Sequence, residues 1–484
     1  MHHIPYFHLF EFLNFDEQMI LRTINKQFKD LIFTNVRTDW IFSNDNYDTS
    51  HVKKLFQNIK ICVETAGPKF RDHITKFVGL KSLQFINDCN LLDNELMTLT
   101  QLEVFEVPGR SYITDKSISR LTKLKNLLLR ENDAITDKGI STLIQLEMLK
   151  LVKVKNVTIA GFSELHNLEF LTLSENIHLT SAHANQFKNL LSLNMSYNNQ
   201  VTDDGISKLT NLEGLTVNAN ITDYGLTRLI SLTYLDLDVN ENITTENISK
   251  LTNLETLMAG SLKINDSIIM ALSKLTELII GCGDRITKKS LSKLPNLINL
   301  TLFSNDEIRN EDIIPLSKLE ILEICDCSEI TNGAIKHFKK LKSLSLTKNK
   351  NITYHGLMEA KNLRSLQLNK HNKFSNDDLK KLTNLTVLDL SSNKNITDEG
   401  LNGLNIIELN IGDNHRITFD GIRSLEQLKK LKITKDNYSW MRGDLSTLKR
   451  HPEIQFVEPK YEEDSEDELS EHELSEDELS SDEQ

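Results

Sequence analysis

The sequence predicts an α/β solenoid, and three observations carry that prediction. An L-x-x-L-x-x-L-x-L signature returns about every 22 residues, from near Leu55 to near Leu448. Inside each copy the closing leucines alternate with residues of variable type, which is strand periodicity. Most copies then pass an asparagine and enter a form of I-T-D-x-G-L, whose Thr and Asp suit the start of a short helix. A period of 20–29 residues with this signature marks a leucine-rich repeat, in which every unit buries its apolar face only against its neighbours. The expected architecture is a right-handed horseshoe or arc with a parallel inner sheet. Such an array offers a long binding surface rather than a catalytic pocket.

The clearest copies open at Leu121, Leu143, Leu165, Leu209, Leu229, Leu294, Leu316 and Leu382, while Phe187, Phe338 and Ala360 take the same slot elsewhere. In the copy from Leu382, Leu388 and Leu390 point inward and Val387, Asp389 and Ser391 face outward. Asn393 is the polar position whose amide can bond the turning backbone and link neighbouring coils. Its equivalents are Asn132, Asn176, Asn198, Asn240, Asn305, Asn349 and Asn414. Cys327 falls in this slot, where the repeat accepts Asn or Cys, so it is read as structural. The coils opening at Leu209, Leu251 and Leu404 are one or two residues short. Loop trimming is the favoured reading of those departures, with a local bend of the solenoid as the alternative.

The totals narrow the function. The chain has 484 residues and a formal net charge of -13. Residues 458–484 hold 14 acidic residues and one basic residue, Lys460, so the body ahead of them is neutral. A neutral body argues against nucleic-acid binding, which needs clustered Lys and Arg. Five cysteines form neither a disulfide framework nor a zinc pattern, and a reducing compartment is expected. The N-terminal stretch does not read as a secretory signal, and no run of about 18 apolar residues exists to span a membrane. No catalytic, cofactor or metal motif emerges, so no enzyme activity and no cofactor are expected. His166, His337 and His371 are read as solvated side chains.

The two ends differ from the repeats. Residues 4–33 are dense in apolar residues at helical spacing, among them Phe12, Leu13, Ile20, Leu21, Ile24, Phe28 and Leu31. Ile4-Pro5, Phe10-Glu11-Phe12-Leu13, Ile24-Asn25-Lys26-Gln27-Phe28-Lys29-Asp30-Leu31 and Trp40 together resemble an F-box. The first half is about three residues shorter than that pattern, and Asn25 stands where Cys is usual. An F-box ahead of this repeat is similar to the F-box/leucine-rich-repeat protein family. The resemblance implies a substrate-recognition adaptor of a Skp–cullin–F-box ubiquitin ligase. The Skp-type linker protein would then dock through Pro5, Phe12, Leu13, Ile24 and Phe28. A helical cap on the first coil is the alternative reading of the same residues.

The expected organisation is an F-box-like segment at 1–45, a solenoid at 46–457 and an acidic tail at 458–484. In the tail, Ser465, Ser470, Ser475 and Ser480 each precede a Glu by three residues, which makes them phosphosite candidates of the acidophilic type. Two further functions stay open: a stand-alone interaction module, and an acidic-tailed binder of basic proteins such as histones. Target-binding candidates are the outward strand residues Val104, Leu128, Met148, Val152 and Phe170, and a second group of Tyr234, Met258, Ile279, Phe303 and Ile321. Asp236, Asp238, Glu277, Glu323, Lys430 and Lys432 supply nearby charge. The expected partners are the linker and a protein target, for a monomeric chain in the cytoplasm.

Overall fold

The computed structural model describes residues 39–42, 60–63, 71, 74–75, 77–85, 448 and 452–457, and 88–440 apart from 176–179, 185, 197, 238–239, 261–263, 282–285 and 372. The F-box-like residues Pro5, Phe12, Leu13, Ile24 and Phe28, the serines Ser465, Ser470, Ser475 and Ser480, and Asn176 and Asp238 lie outside the described residues.

The chain forms two compact units, Met1–Lys318 and Leu319–Gln484. In the first, each strand pairs in parallel with the next in sequence. The series runs from Asp39–Phe42 with Lys60–Val63 to Glu277–Ile280 with Asn299–Phe303. In the second, the same order runs from Ile321–Cys325 with Ser343–Ser345 to Lys430–Ile433 with Glu453–Phe456. Between strands most coils carry a four-residue helical turn such as Asp137–Ile140 or Asp398–Leu401. The fold is the leucine-rich-repeat solenoid that the spacing predicts.

The signature residues stack like on like. Leu149, Leu171, Leu193 and Leu215 pair with one another across successive strands, and all are buried. Each fully buried leucine contributes about 1.5–3 kcal/mol of transfer free energy. Phe187 and Phe338 keep the slot buried, and Ala360 fills it with a smaller side chain.

The asparagines form a second stack. The Asn393 amide donates to the carbonyls of Leu368 and His371 in the preceding coil at 2.9 and 2.7 Å, and its oxygen accepts from the N–H groups of Asn395 and Ile396. Asn240 repeats the pattern onto Asn218 and Ile221, and Asn349 onto Cys327 and Ile330. The residue just before this slot turns the chain with a positive φ, as Glu131 (49°), Lys348 (55°) and Ser392 (54°) do. That conformation costs a side-chain-bearing residue about 1 kcal/mol. The satisfied asparagine offsets it.

The I-T-D-x-G-L segment builds a third stack. Thr136 caps its own helical turn by accepting from the Lys138 N–H. The aspartates, expected only to complement a helix dipole, reach across to the following coil. Asp115 accepts from the Thr136 N–H at 2.8 Å and from its hydroxyl at 2.6 Å, and Asp137 does the same for Thr158. In the second unit Asp398 serves Thr418, and Asn332 and Asn376 serve Thr353 and Thr397. The glycine of the motif exists because of this carboxylate: a Cβ at Gly139, Gly225 or Gly421 would collide with the side chain of Asp115, Asp203 or Asp398. Where serine replaces glycine, its hydroxyl joins the site, as when Ser290 donates to Asp266 at 2.6 Å. Burial pushes the Asp266 carboxyl up, but the bonds from Ser290 and Thr287 outweigh it and hold the group below the usual carboxylate range. Asp93, bonded by Ser117 and Thr114, behaves alike.

Two sequence readings are resolved by these stacks. The coil opening at Leu209 lacks the two residues before the slot, and its asparagine is Asn218, which bonds Asn198 and Val201. Strand pairing runs through this coil unbroken, so the shortening is loop trimming. The reading of His371 as solvated is corrected: it is fully buried and occupies the asparagine slot. One ring nitrogen, Nε2, lies 3.1 Å from the Ile352 carbonyl, and Nδ1 accepts from the Lys373 N–H, so the imidazole reproduces both halves of an amide. His166 and His337 are exposed, as expected.

Candidate functional site

A parallel sheet whose inner rows are closed by leucine leaves its other face to variable residues. The register places Val104, Asn126, Met148, Phe170, Ser192, Gly214, Tyr234, Thr256 and Glu277 in one outward row of the first unit. The next outward row holds Glu106, Leu128, Lys150, Thr172, Asn194, Thr216, Asp236, Met258 and Ile279. Every apolar candidate of the first unit therefore lies on this face, half-buried or exposed.

The first apolar group centres on Met148 and Phe170, which are direct cross-strand partners. Leu128 stands between Glu106 and Lys150, and Val152 between Arg130 and Ser174, so this group is edged by charge of both signs. Phe170 is 39% exposed, which is unusual for so large an apolar side chain.

The second group is tied together more closely. The Tyr234 hydroxyl donates to Met258 Sδ at 3.1 Å, and Met258 pairs with Ile279. Phe303, 42% exposed, extends from the neighbouring strand two residues beyond Thr301, the partner of Ile279. Glu277 accepts from the Asn299 amide at 2.6 Å, which fixes a carboxylate beside the group.

Between Phe170 and Tyr234 the outward row holds only Ser192 and Gly214. A Cβ at Gly214 would come 3.1 Å from Ser192 Oγ, so the glycine keeps this stretch low. The two aromatic residues stand three strand steps apart, about 14 Å, across a polar dip. Sequence reasoning found both apolar groups but not the dip, because Ser192 and Gly214 carry no signal until the register aligns them.

Ile321 faces outward in the second unit, beside Ser343. Glu323, Lys430 and Lys432 share that unit's outward rows. Two of the cysteines have structural surroundings. Cys327 is buried and donates to the Cys325 carbonyl, and Cys89, bridged to Ser111, is buried with its thiol pushed up to about 12 by that burial. Among the described residues no group of His, Cys, Asp or Glu is placed to hold a metal ion, and no helix is long and apolar enough to cross a membrane.

Comparison with known proteins gives the following. A leucine-rich-repeat family model matches residues 188–209 and 381–404. No curated protein matches the chain. Among solved structures, an internalin (inlF) from Listeria monocytogenes is 24% identical over 65% of this chain and 88% of its own, with a TM-score of 0.42. The functional domain of InlJ from the same organism is 21% identical over 68% and 71%, with a TM-score of 0.40. The yeast Rad7–Elc1 complex gives 18% identity over 68% and 81%, with a TM-score of 0.42. What the family model shares with this chain is the repeat itself, and both stretches it matches contain a signature leucine slot, at Leu209 and Leu382.

Proposed function

We propose that the chain is a non-enzymatic substrate-recognition adaptor of a Skp–cullin–F-box ubiquitin ligase, holding a protein target on the sheet face of its first unit. The observation that carries the target-binding half is the pair of apolar groups around Met148–Phe170 and Tyr234–Met258–Ile279. The core behind them is already closed by leucine, and these side chains stand outside it, half-buried or exposed. Clusters of aromatic and aliphatic residues rimmed by charge are what interface hot spots are made of. The ligase half is supported by the F-box-like residues Pro5, Phe12, Leu13, Ile24 and Phe28 ahead of the repeats. Such an adaptor supplies proximity, raising the effective concentration of the target beside the ubiquitin-carrying enzyme, while other subunits carry the chemistry.

The test is retention of a purified Skp-type linker protein by the full chain and by a Pro5→Ala/Leu13→Ala/Phe28→Ala variant. The expected result is retention by the wild type and loss in the variant. Equally poor retention by both would overturn the ligase half and leave a stand-alone interaction module.

A further inference from the structure

The second unit contains a pocket that the repeat pattern itself creates. Ala360 sits where other coils place Leu or Phe, and the missing side chain leaves a cavity of about 150 Å³ on the helical side. Leu357, Leu363, Leu382 and Leu385 line it, and Tyr354 and Lys381 stand at its rim, with the Lys381 ammonium 4.8 Å above the Tyr354 ring. Met358 beside it is 55% exposed. The volume suits one branched aliphatic side chain.

The charge around it is mixed with a positive excess: Glu359 pairs with Lys339 and Asp378 with Lys381 at 3.7 Å, while further lysines have no such partner among the described residues. Lys361 at the pocket, and Lys336 and Lys340 one repeat earlier, are exposed and have no ion pair among the described residues. The occupant that fits is therefore an acidic segment that presents leucine.

Residues 458–484 of this chain have that composition. Leu469, Leu474 and Leu479 each stand in the frame Glu-Leu-Ser within a stretch of 14 acidic residues. Reach permits the contact. Strand Val387–Asp389, in the coil beside the pocket, is three strand steps from Glu453–Phe456, about 14 Å. The twelve residues from Val457 to Leu469 extend to about 40 Å. Tethering also supplies an effective concentration in the millimolar range, so a weak contact suffices.

We propose that the acidic C-terminal segment docks back onto the second unit, seating one of Leu469, Leu474 and Leu479 in the Ala360 pocket with its carboxylates against Lys361 and Lys381. Carbodiimide cross-linking of the full chain, mapped by mass spectrometry in a mixture of isotopically light and heavy protein, tests this. The expected links join carboxylates of 462–483 to Lys361 or Lys381 within one chain. They should fall about tenfold in Ala360→Leu, which fills the pocket with the residue other coils use, and in Leu469→Ser/Leu474→Ser/Leu479→Ser, which leaves the solenoid untouched. Links that spread over all exposed lysines, or that survive both variants, would reduce the contact to charge alone and overturn the proposal. Links between light and heavy chains would assign the pocket to a second copy and overturn it equally.

Discussion

The outward sheet rows of the two units are built on the same core and look different. In the first unit they carry Met148, Phe170, Tyr234, Met258 and Ile279. In the second they carry Ser343, Ser365, Ser345, Gln367, Asp389 and Asn410, with Ile321 and Val387 as apolar exceptions. The polar rows bond within themselves: Ser345 donates to Gln367, and the Asn410 amide donates to Asp389 at 2.8 Å. Leucine rows, asparagine stack and Thr–Asp stack are common to both units. Stability is thus specified by positions that repeat, while the proposed recognition draws on positions that do not.

The shared half of this comparison is open to the largest effect. Asn240→Ala in the first unit and Asn349→Ala in the second each remove an amide that bonds two carbonyls of the preceding coil. Leaving those buried groups unpaired should cost about 2–4 kcal/mol in urea unfolding, to a similar extent in both units. A loss in one alone would show that the stack is not common currency.

The differing half comes next. Phe170→Ser should weaken partner binding by about 2 kcal/mol, roughly thirtyfold, as removal of an aromatic anchor does. Gln367→Ser in the second unit should leave it unchanged. Quantitative mass spectrometry of proteins that co-purify with each variant measures both, and equal losses would erase the distinction between the faces.

A smaller effect sharpens the Thr–Asp stack. Gly139→Val places a branched side chain against Asp115 and should destabilise by about 1–3 kcal/mol. Gly139→Ser, the substitution that Ser117 and Ser290 already represent, should cost less because its hydroxyl can donate to the carboxylate. Thermal unfolding of the pair decides it, and equal losses would mean that the serine hydroxyl gains nothing.

The smallest effect concerns His371. Burial lowers its pKa below the ordinary 6.5, so the folded state favours the neutral ring. Its contribution is complete above the unfolded pKa and declines as pH falls from there through the lowered folded value, by at most about 1.4 kcal/mol per pH unit. His371→Asn restores the usual residue of the slot and should remove that acid-side slope. Parallel slopes for the two proteins would show that His371 does not titrate on unfolding.

Much of this was legible beforehand because leucine periodicity records burial directly. The strand rows, Cys327 and most of the asparagines fall where the spacing puts them. The residue type of His371 hides its slot, and Asn218 escapes the spacing because two residues are missing before it. The reach of Asp115 to Thr136 was illegible for a different reason: its partner lies in another coil, and a single repeat viewed alone suggests only a helix dipole. The outward apolar groups were readable from alternation, whereas the Ser192–Gly214 dip needed the register of four strands.

The trimmed coil at Leu209 has a consequence for how such a chain can be altered. Two residues are absent just before Asn218, yet Asn218 still bonds the coil behind it and Asn240 still bonds Asn218. That point is a splice site in the architectural sense, where coil length changes while the stack stays in step. Residues grafted between Val217 and Asn218 would emerge beside the dip and Tyr234, so new recognition loops could be added there with the repeat left intact.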